Sequence, residues 1–351
     1  MNTELLIQLN GIPGVGPSTI ERLRAIGDIH HCSVADLQQQ GVSFSQAQAV
    51  VTGLADRSFL ERELALIAQH RIGILTISDP EYPALLRAIY APPPVLYYQG
   101  AKPTFDKTLA FVGSRAGQQY ARTVIGTLVP PLITAGCTIV SGGARGVDFY
   151  AHQTALDQAG STVAVLGSGL LEPYPPTSKP LFTRIIESGS SLVSSFPLKT
   201  KPVAGNFPAR NRIIAGLSQG CVVVAAADKS GALITARFAL EQGREVFAVP
   251  GAIDDPLSVG CHRLIQQGAK LVQSVEDIAQ EIPWLSGLST PLTEAKPDAN
   301  QELIRFCRTP RSLDELVSKT SLTHEELQGL LLQGMLAGTL VQNGAGLYEA
   351  L

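Results

Sequence analysis

The sequence predicts an α/β protein whose main part is an extended, doubly wound Rossmann-like domain, flanked by a small helical domain and a winged helix. Six short apolar runs, from residues 109–112 to residues 245–249, alternate with helical stretches between about residues 72 and 284. These runs are continuously apolar, which is typical of parallel strands that are covered on both faces. Several runs end in glycine or serine, as tight turns after strands do.

The first segment, residues 1–68, is expected to be a helical domain of the helix-hairpin-helix or SAM-like kind. A Gly14-Val15-Gly16 turn separates two helical patterns. Backbone N–H groups at such a turn can hold a DNA phosphate without reading sequence. The alternative is a helical pair that only packs, and this is favoured because Arg22 and Arg24 are the only basic residues near the turn.

The main domain is placed at residues 69–286, and a Ser-, Thr- and Pro-rich linker follows at residues 287–300. Residues 301–351 predict three helices and a hairpin, which is a winged helix. Ser312 and Thr323 each begin a capping-box sequence. The third helix has no lysine or arginine, so contact with a protein is favoured over contact with DNA.

Small and polar loops follow four of the predicted strands. They are Gly113-Ser114-Arg115 and residues 141–148, 167–170 and 228–231. Because parallel strands end at the same edge of a sheet, these loops are expected to meet there. Together with Arg115 and Arg145, they predict a cradle for phosphate.

A basic segment strengthens this prediction. Between Glu187 and Asp228 the chain has four cations, Lys199, Lys201, Arg210 and Arg212, and no carboxylate. The chain as a whole carries a formal charge of −3. Such a basic segment in a mildly acidic protein indicates binding of an anion.

Composition excludes several classes of protein. The 351 residues are 45% hydrophobic and 16% charged, which favours a well-buried core over a disordered chain. The five cysteines are scattered without a CxxC pair, so neither a disulfide framework nor a zinc site is expected. No apolar run approaches 18 residues, and the N-terminus does not resemble a secretory signal. We therefore expect a cytoplasmic protein that does not enter the membrane.

Enzyme signatures are absent from the sequence. It has no dinucleotide fingerprint, no Walker lysine motif and no GxSxG elbow. Asp148 and His152 are four residues apart on one predicted helix and could act together as a general base or as ligands of a metal ion. The favoured alternative is that Asp148 orients Arg145 while His152 packs beside the sheet. No catalytic residue, metal or cofactor is expected.

Five segments, in their order and spacing, resemble the DprA/Smf family of DNA processing proteins. They are residues 141–148 with Ala151-His152, residues 164–170 with Tyr174-Pro175, and residues 207–214, 230–236 and 243–251. The resemblance covers roughly residues 72–272, and the flanking helical and winged-helix segments fit one architecture of that family.

This resemblance implies a single-stranded DNA binding protein that protects incoming strands in natural transformation and competence. It also implies loading of the RecA recombinase and a homodimer. Arg115 corresponds to the family's phosphate-binding arginine, Lys179 to its basic position after the Tyr-Pro turn, and Phe182 to a side chain that could stack a base. The remaining expected DNA-binding residues are Gly113, Ser114, Gly142, Gly143, Arg145, Gly146, Gly167, Gly169, Asn206, Arg210, Asn211 and Arg212.

Structural alternatives stay open for several of these residues. Arg210 and Arg212 could bond carbonyl groups inside the domain, Asn211 could cap a helix, and Phe182 could belong to the core. The chain also departs from the family pattern, with Ser195 and Ala225 where many members have glutamate, and Ser178 where asparagine is usual. Loss of two carboxylates should not weaken the binding of an anion.

Two other functions compete with this interpretation. A nucleotide-processing enzyme of the lysine-decarboxylase-like type would share a glycine-rich edge, but its Pro-Gly-Gly-x-Gly-Thr loop and glutamate are missing from residues 141–146. A duplex-DNA factor would use the two flanking domains. The third predicted helix of the winged helix counts against it, because that helix has no basic residue.

Overall fold

The computed structural model describes residues 1–116, 118–286, 303–304, 306–307, 309–320, 322–344 and 346–350. The chain divides into two compact units, Met1–Leu288 and Ser289–Leu351. The predicted linker, residues 287–300, lies outside the described residues.

The first unit begins with five helices. They are α1 (Thr3–Asn10), α2 (Pro17–Ile26), α3 (Val34–Gln39), α4 (Phe44–Ala55) and α5 (Ser58–His70). The Asn2 side chain caps α1 by accepting from the Leu5 N–H, and Pro17 occupies the first turn of α2. Gly14, in the turn between these helices, has a φ of +80°, a conformation that glycine adopts at no steric cost. The apolar faces of these helices belong to the same core as one face of the sheet.

A nine-stranded sheet forms the centre of the first unit. Its strands are β1 (Gly73–Thr76), β2 (Val95–Gly100), β3 (Thr108–Val112), β4 (Thr138–Ser141), β5 (Thr162–Val165), β6 (Ser191–Ser194), β7 (Gly220–Val223), β8 (Glu245–Ala248) and β9 (Lys270–Leu271). Their order is β1-β2-β6-β5-β4-β3-β7-β8-β9. The seven strands from β6 to β9 in this order are parallel, whereas β1 and β2 are antiparallel to their neighbours. The predicted α/β fold with a mostly parallel sheet is confirmed.

Helices cover both faces of this sheet. They are α6 (Ala84–Arg87), α7 (Gln118–Thr134), α8 (Val147–Asp157), α9 (Lys179–Glu187), α10 (Asn206–Gly216), α11 (Gly231–Glu241), α12 (Val259–Gln266) and α13 (Val275–Ala279). Alternate residues of β3 enter two different cores: Leu109 and Phe111 pack into one, Ala110 and Val112 into the other. Burial on both faces explains why the strands are continuously apolar in sequence.

The strand order creates one crevice of particular interest. From β3 the chain proceeds through β4, β5 and β6 in one direction, and then returns to place β7 on the other side of β3. The connections after β3 and β7 therefore leave on different sides of the sheet. Ligands in open α/β sheets bind at such a switch point, outside the carboxyl ends of the strands.

The second unit contains α14 (Leu313–Lys319) and α15 (His324–Leu336), followed by an antiparallel pair, β10 (Leu340–Gln342) and β11 (Tyr348–Ala350). Both capping boxes predicted from the sequence are present, at Ser312 and Thr323. This unit has a core of its own, formed by Leu303, Cys307, Leu316, Leu327, Leu331 and Leu340. Among the helices that the structure describes, none is long and apolar enough to cross a membrane.

Candidate functional site

A cavity of about 640 Å³ opens at the switch point between β3 and β7. The loops after β3, β4 and β7 line it, together with the facing sides of α10 and α11. Two smaller cavities, of about 110 and 190 Å³, lie past the ends of β4 and β5. They are continuous with the first cavity: Arg115 lines both the first and the second cavity, and Arg145 lines both the second and the third. We call the three together the edge groove.

The loop after β3 holds Arg115 at the groove. The Ser114 N–H donates to the Ala225 carbonyl at 2.7 Å, and the Val147 N–H donates to the Ser114 carbonyl at 3.3 Å. Gly146, with a φ of +80°, lets α8 begin directly against this loop, since a Cβ there would lie 2.3 Å from the Ser114 carbonyl oxygen. The backbone is therefore fixed on both sides, while the Arg115 side chain is exposed in the groove.

Arg210 is a buried cation in the wall of the groove, with only 5% of the residue exposed. Its Nη1 donates to the Val165 carbonyl at 3.0 Å, and its Nε has no hydrogen-bond partner among the described residues. The guanidinium lies against Gly142, where a Cβ would come within 1.5 Å of Nη1. Burial lowers the pKa of Arg210, and the nearby Asp148 opposes that shift. The alternative that this arginine bonds a carbonyl group is therefore correct, although it still faces the groove.

Asp148 was expected to orient Arg145, and this expectation is wrong: Asp148 lies beside Arg210. Its Oδ2 accepts from the Ala144 N–H at 3.3 Å, and the carboxyl group is almost fully buried. Burial raises the pKa of Asp148, and the Arg210 charge acts most strongly against that rise. Arg145 is exposed and lines the groove.

His152 packs beside the sheet, as predicted. Its Nδ1 lies 2.7 Å from the Thr162 Oγ1, and burial lowers its pKa to about 3. The ring is therefore neutral at physiological pH. The hydrogen bonds between described side chains join His152 to Thr162 and not to Asp148, so the two do not form a general-base pair. No cluster of three or more metal-ligating side chains occurs in the described part of the chain.

The prediction that Phe182 stacks a base is wrong for the side chain as the structure places it. Phe182 is 3% exposed, and its ring lies against Gly143, where a Cβ would come within 2.5 Å of it. The reason is the phase of α9, which turns Leu181, Phe182 and Ile185 into the core. The aromatic side chains that line the groove are Phe149, Tyr150, Tyr174 and Phe207, and the ring centroids of Tyr174 and Phe207 lie 5.9 Å apart.

Arg212 is also placed away from the groove. It donates to the carbonyl groups of Tyr90 and Ala91, the latter at 2.8 Å, and so ties α10 to the segment before β2. Its predicted role in DNA binding is not supported by this placement. Asn211, one residue earlier, does line the largest cavity, and its Nδ2 donates to the Gly231 carbonyl at 3.3 Å.

The remaining predicted residues divide into supports and peripheral residues. Gly167 leaves room for the Phe207 ring, and Gly169 lets its loop approach the Leu198 carbonyl, where a Cβ would come within 2.1 Å. Asn206 begins α10, with its Nδ2 3.5 Å from the Lys201 carbonyl. Lys179 is exposed at the first residue of α9 and lies at the same edge, but it is not among the lining residues of the three cavities that form the groove.

The charge balance of the groove is positive. Its cations are Arg115, Arg145, Arg210 and Lys229, and none of them forms an ion pair within 4.0 Å with a described carboxylate. Asp148 is the one carboxylate among the lining residues that the structure describes. Lys229 was not among the predicted site residues, although its place in a glycine loop after a strand could have identified it.

Three comparisons with known proteins agree with each other. The sequence profile of the family described as DNA recombination-mediator protein A matches residues 73–283. Protein Smf of Escherichia coli (strain K12) is 40% identical over 286 residues, which is 81% of this chain and 76% of that protein. The X-ray structure of DNA processing protein A from Streptococcus pneumoniae matches with a TM-score of 0.69 at 33% identity, over 80% of this chain and 98% of that one.

A second solved structure concerns the single-stranded DNA binding mode of DNA processing protein A from Helicobacter pylori. It matches with a TM-score of 0.54 at 26% identity and covers 60% of this chain and 95% of that chain. The predicted resemblance is thus confirmed by sequence and by fold.

Proposed function

Since this chain belongs to the DNA recombination-mediator protein A family, we propose that it binds single-stranded DNA along the edge groove and acts in DNA processing during transformation and recombination. The observation that carries the proposal is the set of exposed cations in one groove, Arg115, Arg145 and Lys229, which have no carboxylate partner among the described residues. A polyanion supplies the missing negative charge.

The cations mark a path across the ends of the strands. Lys229 comes after β7, Arg115 after β3, Arg145 after β4 and Lys201 after β6. Lys179 lies at the end of the connection that leads from β5 to α9. Neighbouring strands in a sheet lie about 4.8 Å apart, so the four intervals from β7 to β6 span roughly 19 Å. A DNA backbone that lies along this path meets a cation at the end of each strand.

Besides positive charge, the groove offers aromatic side chains on which bases can stack. Tyr174 is 41% exposed and its ring is tilted by 56° to that of Phe207, which in turn lies 5.9 Å from the Arg210 guanidinium. Stacking on an aromatic face tolerates every base, and positive charge follows every phosphate backbone. Binding is therefore expected to show little sequence preference and a strong dependence on salt.

A role in binding is favoured over catalysis. His152 is buried and neutral, and the Asp148 carboxylate faces a buried arginine, so neither is arranged to move a proton to or from a ligand. The nucleotide-processing alternative needs a glycine-threonine loop that residues 141–146 do not provide. Loading of RecA and formation of a homodimer are implied by the family resemblance, and we retain them as part of the proposal.

Fluorescence anisotropy tests the proposal directly. A labelled single strand of about 20 nucleotides and its duplex are titrated at two salt concentrations with the wild type and with Arg115→Ala. We expect selective binding to the single strand, and a loss of about 1–3 kcal/mol in Arg115→Ala, the size of one charge-assisted hydrogen bond. Preference for the duplex, or unchanged binding by the variant, would contradict the proposal.

Arg184→Ala is the matched control. Arg184 pairs with Asp157 at 2.7 Å, and both residues lie near the C-terminal ends of their helices, α9 and α8. Those ends lie at the amino edge of the parallel strands, opposite the groove. The variant also removes one arginine, but at the edge of the sheet opposite the groove. Its affinity for the single strand should therefore stay within about twofold of that of wild type.

A further inference from the structure

Tyr90 is the most exposed aromatic residue that the structure describes, with an exposed fraction of 82%. It lies in the segment between α6 and β2, and both of its neighbours in the chain are buried: Ile89 is 6% exposed and Ala91 is 7% exposed. Ile89 packs on α10, where a Cβ at Gly216 would come within 3.3 Å of its side chain. The Tyr90 ring is therefore displayed on the outside of a packed segment.

The backbone that carries Tyr90 is held in one conformation. Arg212 on α10 donates to the carbonyl groups of Tyr90 and Ala91, the latter at 2.8 Å. Ala91 has a φ of +48°, which is uncommon for a residue other than glycine and persists only where the surrounding structure fixes it. Two residues further on, the Pro93 carbonyl accepts from the buried Tyr82 hydroxyl group at 2.7 Å. Arg212 is thus a positioning residue for the Tyr90 ring.

Two arginines on neighbouring elements lie around this segment. Arg87 on α6 is exposed, and its guanidinium lies 5.7 Å from the centroid of the Tyr82 ring, whereas Arg24 on α2 is half-buried. Burial raises the pKa of Tyr82, and the charges of Arg212, Arg87 and Arg24 oppose that rise, so the three guanidinium groups lie around the Tyr82 hydroxyl group. We call Tyr90, Arg24 and Arg87 the tyrosine patch.

The carboxylates of the same segment do not neutralise these arginines. The Asp79 Oδ2 accepts from a backbone N–H at 2.6 Å, and Glu81 pairs with Lys102. Arg87 donates to the Asp79 carbonyl group, which leaves its charge uncompensated. Neither Arg24 nor Arg87 forms an ion pair within 4.0 Å in the part of the chain that the structure describes. The patch therefore offers a fixed aromatic face beside two unpaired cations.

The tyrosine patch lies next to the edge groove. Asn211 lines the largest cavity of the groove, and the next residue, Arg212, holds the backbone of Tyr90. The patch and the groove are therefore separated by α10, and an α-helix with its side chains is about 10–12 Å across. The segment that carries Tyr90 leads into β2, which begins at the same edge of the sheet, because β2 runs antiparallel to its neighbour β6. A strand that leaves the groove across α10 reaches the patch.

We propose that the tyrosine patch is a second contact site for single-stranded nucleic acid, in which one base stacks on Tyr90 while the backbone lies on Arg24 and Arg87. The inference rests on the proposed function, because it extends the path of a strand beyond the edge groove. An aromatic face beside positive charge binds single strands of any sequence, whereas an acidic protein segment would use only the cations. The patch also gives the first helices a contact with DNA, through α2 and not through the turn at Gly14.

Removal of the ring tests the stacking. Tyr90→Ala, Tyr90→Phe and the control Phe44→Ala, which removes another exposed aromatic ring of the first unit, are titrated by anisotropy with a thymidine 20-mer and with an abasic strand of the same length. Because the Tyr90 ring is exposed, its removal does not open the core. We expect Tyr90→Ala to bind the thymidine strand about tenfold more weakly, the size of one stacked base, and the abasic strand as wild type does. Tyr90→Phe and Phe44→Ala should bind both strands as wild type does.

Removal of one charge tests the contact with the backbone. Arg24→Gln is compared with Arg22→Gln, since the two arginines are two residues apart on α2 and so project from opposite sides of it. Arg22 is exposed and donates to the Gly41 carbonyl at 2.7 Å. We expect Arg24→Gln to bind both strands about fivefold more weakly, and the slope of log affinity against log salt to fall by about 0.7, the value of one phosphate contact. Arg22→Gln should leave both quantities unchanged.

Arg115→Ala, measured beside these variants, separates the inference from the proposed function. Failure of wild type to bind any strand would defeat the proposed function, whereas binding that depends on Arg115 but not on Tyr90 would overturn only the inference. An equal loss on both strands in Tyr90→Ala would overturn it too, because the ring would then not act through a base. Unchanged binding by Arg24→Gln would overturn the assignment of the backbone to the arginines of the patch.

Discussion

Gly142 has no room for a side chain, because the Arg210 guanidinium occupies the space where a Cβ would be. A methyl group there would lie 1.5 Å from Nη1 and 2.4 Å from Cζ of Arg210. We expect Gly142→Ala to displace the guanidinium from the Val165 carbonyl, to lower the free energy of unfolding by about 1–3 kcal/mol, and to weaken single-strand binding. Urea unfolding and anisotropy measure the two effects.

Gly126→Ala is the control for this substitution. Gly126 lies inside α7, and a Cβ there would meet no atom within 4 Å. Alanine in a helix interior is better than glycine by about 0.5–1 kcal/mol, so this variant should be slightly stabilised and should bind DNA normally. If Gly142→Ala behaved like Gly126→Ala, the guanidinium could not lie where the structure places it.

His152 makes the stability of the fold depend on pH. Burial lowers its pKa to about 3, compared with about 6.5 in an unfolded chain. Between these two values the unfolded chain binds a proton that the folded chain does not, so stability falls as the pH falls from about 6.5 towards 3. This one group contributes up to about 1.4 kcal/mol per pH unit in that window, and nothing well above it.

The measurement compares urea unfolding of wild type and His152→Gln at pH 7.5 and pH 4.5. Burial raises the pKa of Asp148, so that carboxyl group works in the opposite sense, and only the difference between the two proteins isolates the histidine. We expect wild type to lose about 2–3 kcal/mol more than the variant between these pH values. Equal losses would show that the ring is protonated as easily in the folded protein as in the unfolded chain.

Individual residues differ in how well the sequence predicts their role. The position of Arg115 at the groove could be predicted because it depends on local order, a strand followed by a small-residue turn. Phe182 could also have been assigned to the core, since Leu181, Phe182 and Ile185 lie on one face of α9. Arg212 could not have been assigned, because its carbonyl partner at Ala91 is 121 residues away in the chain.

At the scale of elements, the six central parallel strands, β3 to β8, were predictable, whereas the antiparallel strands and the short parallel strand β9 were not. Strands β3 to β8 are short apolar runs, and burial on both faces dictates that pattern. Strand β2 carries exposed and half-buried residues towards its end, and β9 has two residues, so neither gives the same signal. The pairing of β2 with β6 depends on contacts between segments about 95 residues apart, which no local pattern records.

The first helices are fastened to the sheet near the groove. The Glu63 carboxylate on α5 accepts from the Leu198 N–H at 2.7 Å, and the Asn10 side chain on α1 donates to the Ser195 carbonyl at 3.0 Å. Both partners lie in the segment between β6 and α10, and α10 carries Arg210. The helices therefore help to fix the segment that leads into the groove wall.

Two substitutions of Glu63 distinguish the hydrogen bond from the charge. Burial raises the pKa of Glu63, which shows that the charged form is costly in this place. Glu63→Gln keeps an oxygen acceptor without a charge, so its free energy of unfolding at pH 7 should stay within about 1 kcal/mol of wild type. Glu63→Ala leaves the Leu198 N–H unpaired beside a cavity and should lose about 2–4 kcal/mol. Urea unfolding decides, and equal losses in the two variants would assign the effect to the charge.

At the scale of the whole molecule, charge is unevenly distributed. The net charge is −3, yet the edge groove has four cations and one carboxylate. The attraction for an anion is therefore local, and the acidic remainder limits binding elsewhere. The charge of the groove also differs from that of α15 in the second unit, which carries Glu325 and Glu326 and neither lysine nor arginine.

This separation gives a prediction for a shortened chain that ends at Ser286. All groove-lining residues lie between Val112 and Thr235, and both cores beneath them are formed by residues before Ser286. The shortened chain should therefore fold and bind the single strand within about threefold of the full chain. Its affinity should fall with salt as steeply as that of the full chain, since the slope counts phosphate contacts, at about 0.7 per contact for single strands. Anisotropy at several salt concentrations measures both quantities. A loss of more than tenfold with a shallower slope would mean that the second unit contacts phosphate, whereas the same loss with an unchanged slope would mean that it acts without adding charge contacts.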